Sequence, residues 1–289
     1  MKFLKTIAST LLGILLLASS TSAQSNKLEN SLLWKIEKKN TNTSYLFGTI
    51  HLISESDYFM PEKAEKAFAA CKKLVLEIDI SDQQQVMQIM NYAHMKDGIT
   101  LQDLFTENDY ALLDSTMLVI TGMSVSALNT FKPFVLESFL IQNVVDGPTE
   151  IYEMSFANMA TDIEMPIIGL ESIQGQMQLF DDLPYEEQAA DLMKYVRGDE
   201  DMKKLFAEMV EMYKSQNISA LYNYMADYFP DERWMQKLLF ERNANWIPLI
   251  EDQMATGSIF VAVGAGHLGG EQGVIALLRK AGYKVTAVK

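Results

Sequence analysis

The chain has 289 residues and only three histidines, and two of these stand in the same local setting. His51 closes Gly48-Thr-Ile-His51 after the apolar run Tyr45 to Ile50, and His267 closes Gly264-Ala-Gly-His267 after the run Ser258 to Val263. Two acids occupy comparable places: Glu77 lies late in Leu74-Val-Leu-Glu-Ile-Asp-Ile80, and Glu171 directly follows Ile167-Ile-Gly-Leu170. Two imidazoles and one or two carboxylates on one edge are a donor set for a divalent cation. Imidazole suits zinc, manganese, cobalt or iron, and carboxylates harden the set towards manganese. Such an ion polarises a carbonyl and acidifies water, which is the chemistry of hydrolysis.

Other residues join these as candidates. Asp79 is placed to orient a ligand histidine from behind. Arg242 and Asn243, in Phe240-Glu-Arg-Asn-Ala-Asn-Trp246, offer a bidentate fork that orients a substrate or ties down Glu171 or Glu77. Gly48, Gly264 and Gly266 are candidate substrate-binding positions, where backbone N–H groups face a carboxylate or an oxyanion. Gly264 to Gly269 also fits the dinucleotide pattern G-x-G-x-x-G. That reading fails because no acid follows at the required distance: Glu271 is the last acid before Lys289. His94 lies near a helix end, and Cys71 falls on the apolar face of a helix opened by Pro61, as a core residue.

The elements that must position these groups follow from periodicity. Leu32 to Glu37 and Tyr45 to Ile50, separated by Asn40-Thr-Asn-Thr43, read as a hairpin. Leu74 to Ile80, Pro166 to Leu170, Ser258 to Val263 and Tyr283 to Val288 read as further strands, with a helix over Glu271 to Ala281. From about residue 81 to 245 the pattern is otherwise helical, with a capping box at Thr100 to Asp103, and its many methionines read as core filling. The fold class is therefore α/β: two βα halves around a mostly parallel sheet, with a large helical insertion. Ligands of such sheets bind beyond the carboxyl ends of the strands, where both histidines stand.

Composition closes off other classes. Twenty-four Lys and Arg against 38 Asp and Glu give a net charge of −14, which argues against nucleic acid as a partner. One cysteine excludes a disulfide framework, and there is no G-x-S-x-G, H-E-x-x-H or P-loop pattern. Lys2, Lys5, an apolar run from Thr6 to Ala18 and small residues to Ala23 read as a cleaved signal peptide. Residues 1–23 are thus a leader and 24–289 one domain. The expectation is an exported protein, periplasmic or secreted, with no stable membrane anchor after cleavage.

The ordered set Leu33-Trp-Lys-Ile36, Tyr45 to His51, Leu74 to Asp79, Gly169-Leu-Glu171, Glu241-Arg-Asn243 and Val261 to His267 resembles the TraB/GumN family, related to the Tiki proteases. The resemblance implies two Gly-x-x-His motifs plus a glutamate as the site: His51, His267 and Glu77 as metal ligands. Glu171, Arg242 and Asn243 fall in its other shared motifs; the strand-end placement itself makes Glu171 a ligand or general base, with Arg242 and Asn243 orienting the substrate or intermediate. The resemblance implies a metal-dependent peptidase acting on a peptide or protein, with manganese or cobalt favoured over zinc. Two alternatives stand beside it: a non-catalytic peptide-binding or sequestering protein, and a metal-free hydrolase resembling the erythromycin esterases.

Overall fold

A computed structural model describes residues 28–141, 143–198, 201–228 and 232–289. The signal-peptide expectation falls on residues outside these. Six strands form the main sheet: β1 (Leu33–Glu37), β2 (Ser44–Thr49), β4 (Lys73–Ile78), β6 (Ile167–Glu171), β7 (Ile259–Gly264) and β8 (Lys284–Ala287). Their order is β6-β4-β7-β2-β1-β8. The ladders from β6 through β4 and β7 to β2 are all parallel, whereas β1 runs antiparallel to both β2 and β8. The fold is mixed α/β with a mostly parallel central sheet, as its alternation of short apolar runs and helices predicts. β7 is buried at all six positions, the continuous apolar pattern of a parallel strand covered on both faces.

A second, two-stranded sheet pairs β3 (Leu52–Ser54) with β5 (Thr149–Ile151) antiparallel. Neither strand is legible from alternation, because three residues are too few to show a period. The terminal helix spans Val274–Lys280, shorter than expected: Gly269, Gly270 and Gly273 hold the chain ahead of it in turns. Apolar packing forms two clusters. One surrounds the sheet and contains Phe47, Phe68, Phe156 and Phe260; the other joins Leu101, Leu113, Met117, Leu136 and Leu192 within the helical middle. Cys71 is buried beside the sheet. Among the described residues no helix is long and apolar enough to cross a membrane.

Candidate metal and peptidase site

The parallel register assembles the site. Thr49 of β2 lies opposite Gly264 of β7, so the two Gly-x-x-His segments leave adjacent strands at the same edge. In the neighbouring ladders Leu76 pairs with Ala262 and Ile78 with Glu171, which brings Glu77 and Glu171 to that edge too. His51, Glu77, Glu171, Arg242, Asn243 and His267 therefore meet in space, although His51 and Glu77 come from one end of the described chain and Arg242 and His267 from the other.

Glu77 is the hub. It is 7% exposed, and its Oε1 accepts the Gly264 N–H at 2.8 Å while lying 3.9 Å from His51 Nε2 and 3.8 Å from His267 Nε2. Its Oε2 accepts from Arg242 Nη2 at 2.5 Å and from Gln176 Nε2 at 3.1 Å. Burial alone would raise the carboxyl pKa, but His267, His51, Arg242 and the Gly264 N–H outweigh it and hold the group well below the ordinary range.

Arg242 spans the site. Its Nε donates to both Glu171 oxygens at 3.0 and 3.2 Å, and its Nη1 donates to Leu238 O at 2.8 Å and faces His267 Nε2 at 3.1 Å. Glu171 Oε1 also accepts from Trp246 Nε1 at 2.7 Å. Both oxygens of Glu171 are thus engaged by Arg242 and Trp246. The guanidinium lies 4.9 Å from the Trp246 ring centroid, and Trp246 covers His267 with ring centroids 4.4 Å apart. A π-helical turn, Gln236–Phe240, immediately precedes the helix Glu241–Thr256 and sets the angle at which Arg242 and Asn243 enter.

The two imidazoles are held differently. His267 is 4% exposed; its Nδ1–H donates to Asn243 Oδ1 at 2.6 Å, and Asn243 is fixed by donating to Gln272 O at 2.9 Å. Burial pushes the His267 pKa down to about 3, so the ring is neutral with its Nε2 lone pair facing Arg242 and Glu77. The His51 side chain is 59% exposed and its backbone φ is 53°, a left-handed conformation unusual for a non-glycine residue. Its Nδ1–H donates to Glu153 Oε1 at 2.8 Å. Glu153 and then Glu77 push the His51 pKa up to about 9, and water at the open, 59% exposed side of the ring screens part of that attraction.

Asp79, Glu153 and the glycines differ in placement from the sequence expectation, or were absent from it. Asp79 accepts from Ser81 N and Oγ at 3.0 and 2.5 Å, and the histidine Nδ1 partners are Glu153 and Asn243 instead. Glu153 carried no signal, since it stands 102 residues from His51 in a helical stretch. Two of the three glycine N–H groups are engaged within the protein: Gly48 donates to Leu32 O at 2.9 Å and Gly264 donates to Glu77. A Cβ at Gly266 would collide with Met225 of the helix Ile218–Tyr228, so that glycine serves close packing. His94 lies elsewhere, with its Nδ1 2.8 Å from Thr130 Oγ1. A cavity of about 780 Å³ adjoins the His267 side; Phe240 and Gln272 line it, and none of the proposed site residues does.

Whether a cation fits is a question of donor chemistry and charge. Both histidines are anchored through Nδ1, leaving Nε2 towards Glu77, the arrangement in which metal-binding imidazoles are held. Glu77 and Glu171 share one guanidinium, while Glu153 pairs with the His51 imidazole, so three carboxylates meet a single permanent positive charge at this edge. The donors fit a cation in chemistry. Their spacing is open: among the described residues no three His, Cys, Asp or Glu side chains form a ready metal cluster, and Arg242 lies on one of the lone pairs.

Residues 32–287 match the TraB/PrgY/gumN family, and the chain belongs to it. Among curated proteins it is similar to metalloprotease TIKI1 of Xenopus tropicalis, 22% identical over 312 aligned positions that cover 89% of this chain and 61% of that protein. It is also similar to metalloprotease TIKI2 of Danio rerio, at 21% identity over 90% of this chain and 61% of the relative. The chain thus spans about three fifths of the length of these relatives. No solved structure matches it.

Proposed function

We propose that the protein is an exported, metal-dependent peptidase whose ion is held by His51, His267 and Glu77. The observation carrying this is the pair of imidazoles fixed through Nδ1, with Nε2 atoms 3.9 and 3.8 Å from one Glu77 oxygen. A divalent cation there would supply Lewis-acid chemistry at a peptide carbonyl. The mix of carboxylate and imidazole donors favours manganese or cobalt over zinc.

The protein's own groups supply the rest. Arg242, 11% exposed and fastened by Glu171, puts a fixed positive charge beside Glu77, where it binds a substrate carbonyl and steadies negative charge developing on its oxygen. Glu171 acts by holding that guanidinium, a change from the base or ligand role the sequence implies. Asn243 keeps His267 in the Nδ1–H tautomer, and Trp246 excludes water behind it. The named activity of the TIKI relatives supports a peptide or protein substrate.

Metal analysis of the purified protein, with peptide cleavage followed by mass spectrometry for wild type, His51→Ala and His267→Ala, tests the proposal. Bound manganese or cobalt and loss of cleavage in both variants are expected. Full activity in both, or cleavage that survives exhaustive chelation, overturns it. Saturable, chelator-insensitive peptide binding without products would assign the protein to sequestration.

A further inference from the structure

His51 has the most open side chain of the site and a left-handed backbone, yet it must present Nε2 to Glu77. An exposed imidazole in such a place rotates unless something holds it. The two-stranded sheet provides the hold. β3 begins at the residue after His51, and its ladder with β5 sets Leu52 opposite Ile151 and carries the Tyr152 N–H onto His51 O at 3.0 Å. The helix Tyr152–Asp162 starts at that point, which places Glu153 in its first turn, where a carboxylate is favoured by the helix dipole. Glu153 Oε1 then lies 2.8 Å from His51 Nδ1 and accepts from Thr49 Oγ1 at 2.6 Å. Thr49 is 1% exposed on β2, so the carboxylate is braced against the main sheet on one side and grips the imidazole on the other.

We propose that Glu153, braced by Thr49, is a positioning residue that clamps His51 through Nδ1 and aims its Nε2 at Glu77. The clamp explains why a three-residue strand pair stands beside the site: it docks the start of one helix onto the backbone of His51. The proposal rests on the metal reading only for its consequence, since the clamp itself is a contact within the protein. Orienting partners of this kind change metal affinity by about 10- to 100-fold when removed.

The test uses the full chain labelled with ¹⁵N-histidine. With three histidines present, the His51 Nδ1–H resonance is assigned by its loss in His51→Ala. In wild type a downfield, slowly exchanging Nδ1–H signal is expected. It should vanish in Glu153→Ala, weaken in Glu153→Gln, where a neutral amide oxygen accepts in place of the carboxylate, and weaken in Thr49→Val. The second arm measures Co²⁺ affinity by calorimetry and the melting temperature of the metal-free protein. Affinity should fall about 10- to 100-fold in Glu153→Ala, while the metal-free protein stays folded and melts only a few degrees lower because the buried Thr49 hydroxyl loses its acceptor. Absence of the signal in wild type, its persistence in Glu153→Ala, or unchanged Co²⁺ affinity in that variant overturns the clamp. If the signal behaves as expected but wild type takes up no Co²⁺, the clamp stands and the metal reading fails. Thr49→Val decides the question should Glu153→Ala not fold.

Discussion

Gly264→Ala is the sharpest probe of the site. An ideal Cβ at this position would lie 3.0 Å from His51 Nε2 and 3.4 Å from Glu77 Oε1, between the donors assigned to the ion. Gly264 has φ −51° and ψ 134°, which alanine adopts without strain, so the backbone has no reason to change. Comfortable separation for such atoms is about 3.5 Å or more. His51 must therefore retreat by roughly 0.5 Å, and its open side chain permits this at little cost to folding. A ligand bond of about 2.0–2.1 Å tolerates only some 0.2 Å. The same movement should weaken Co²⁺ binding and peptide cleavage by about 100-fold, equivalent to some 2.7 kcal/mol. Stability should change by less than about 1 kcal/mol. Calorimetric Co²⁺ titration, cleavage rates and denaturant unfolding read the three quantities. Wild-type Co²⁺ affinity in Gly264→Ala would refute the placement of the ion between these donors.

Other consequences concern the frame around the site. Lys132, 1% exposed, pairs with Asp181 at 2.7 Å and donates to Met177 O at 3.1 Å, holding the helix Ile173–Leu179 that carries Gln176 against Glu77. Lys132→Met should cost about 3 kcal/mol in urea unfolding at neutral pH, with Lys96 retaining part of the pairing. Burial alone would raise the Asp181 pKa, but Lys132, Lys96 and Tyr185 hold it below the ordinary range. The deficit of the variant should therefore be constant above the unfolded carboxylate range and shrink as pH falls through the folded value; a deficit that grows in acid would contradict it. Trp246→Phe removes the indole donor to Glu171 Oε1 and should destabilise the protein by about 1.5–3 kcal/mol. Burial lifts the Cys71 thiol to about 12, so a thiolate-directed reagent at pH 8 should leave the native protein unmodified and react only after unfolding.

The convergence of the site residues at one sheet edge was legible in the sequence because they sit on strong local signals. Tyr45 to Ile50 and Ser258 to Val263 are apolar runs ending in glycine and histidine, and each forms a strand within one or two residues of its expected bounds. Glu77 and Glu171 are acids at the ends of apolar strands, a placement that solvation alone does not explain. Arg242 was recognised as a fork for Glu171 or Glu77, and it binds both. Asp79 misled because alternation along β4 places it close to Glu77 without saying which loop atoms it meets; the backbone turns at once and Ser81 takes its carboxylate. Glu153 was invisible since its partner is 102 residues away and joined to it through strands too short to show a period.

The sequence by itself determined the six strands of the main sheet, the mostly parallel α/β class and the residue types meeting at one sheet edge, because burial and alternation act over a few neighbouring residues. Only the tertiary structure decided which groups meet. Glu77 became the hub because the register sets Thr49 against Gly264 and Leu76 against Ala262. Glu171 was turned to Arg242, Asn243 to His267 and Glu153 to His51. Hydrogen bonds are made over about 3 Å, whereas the pattern of a sequence carries no information on which distant side chains will come within that range.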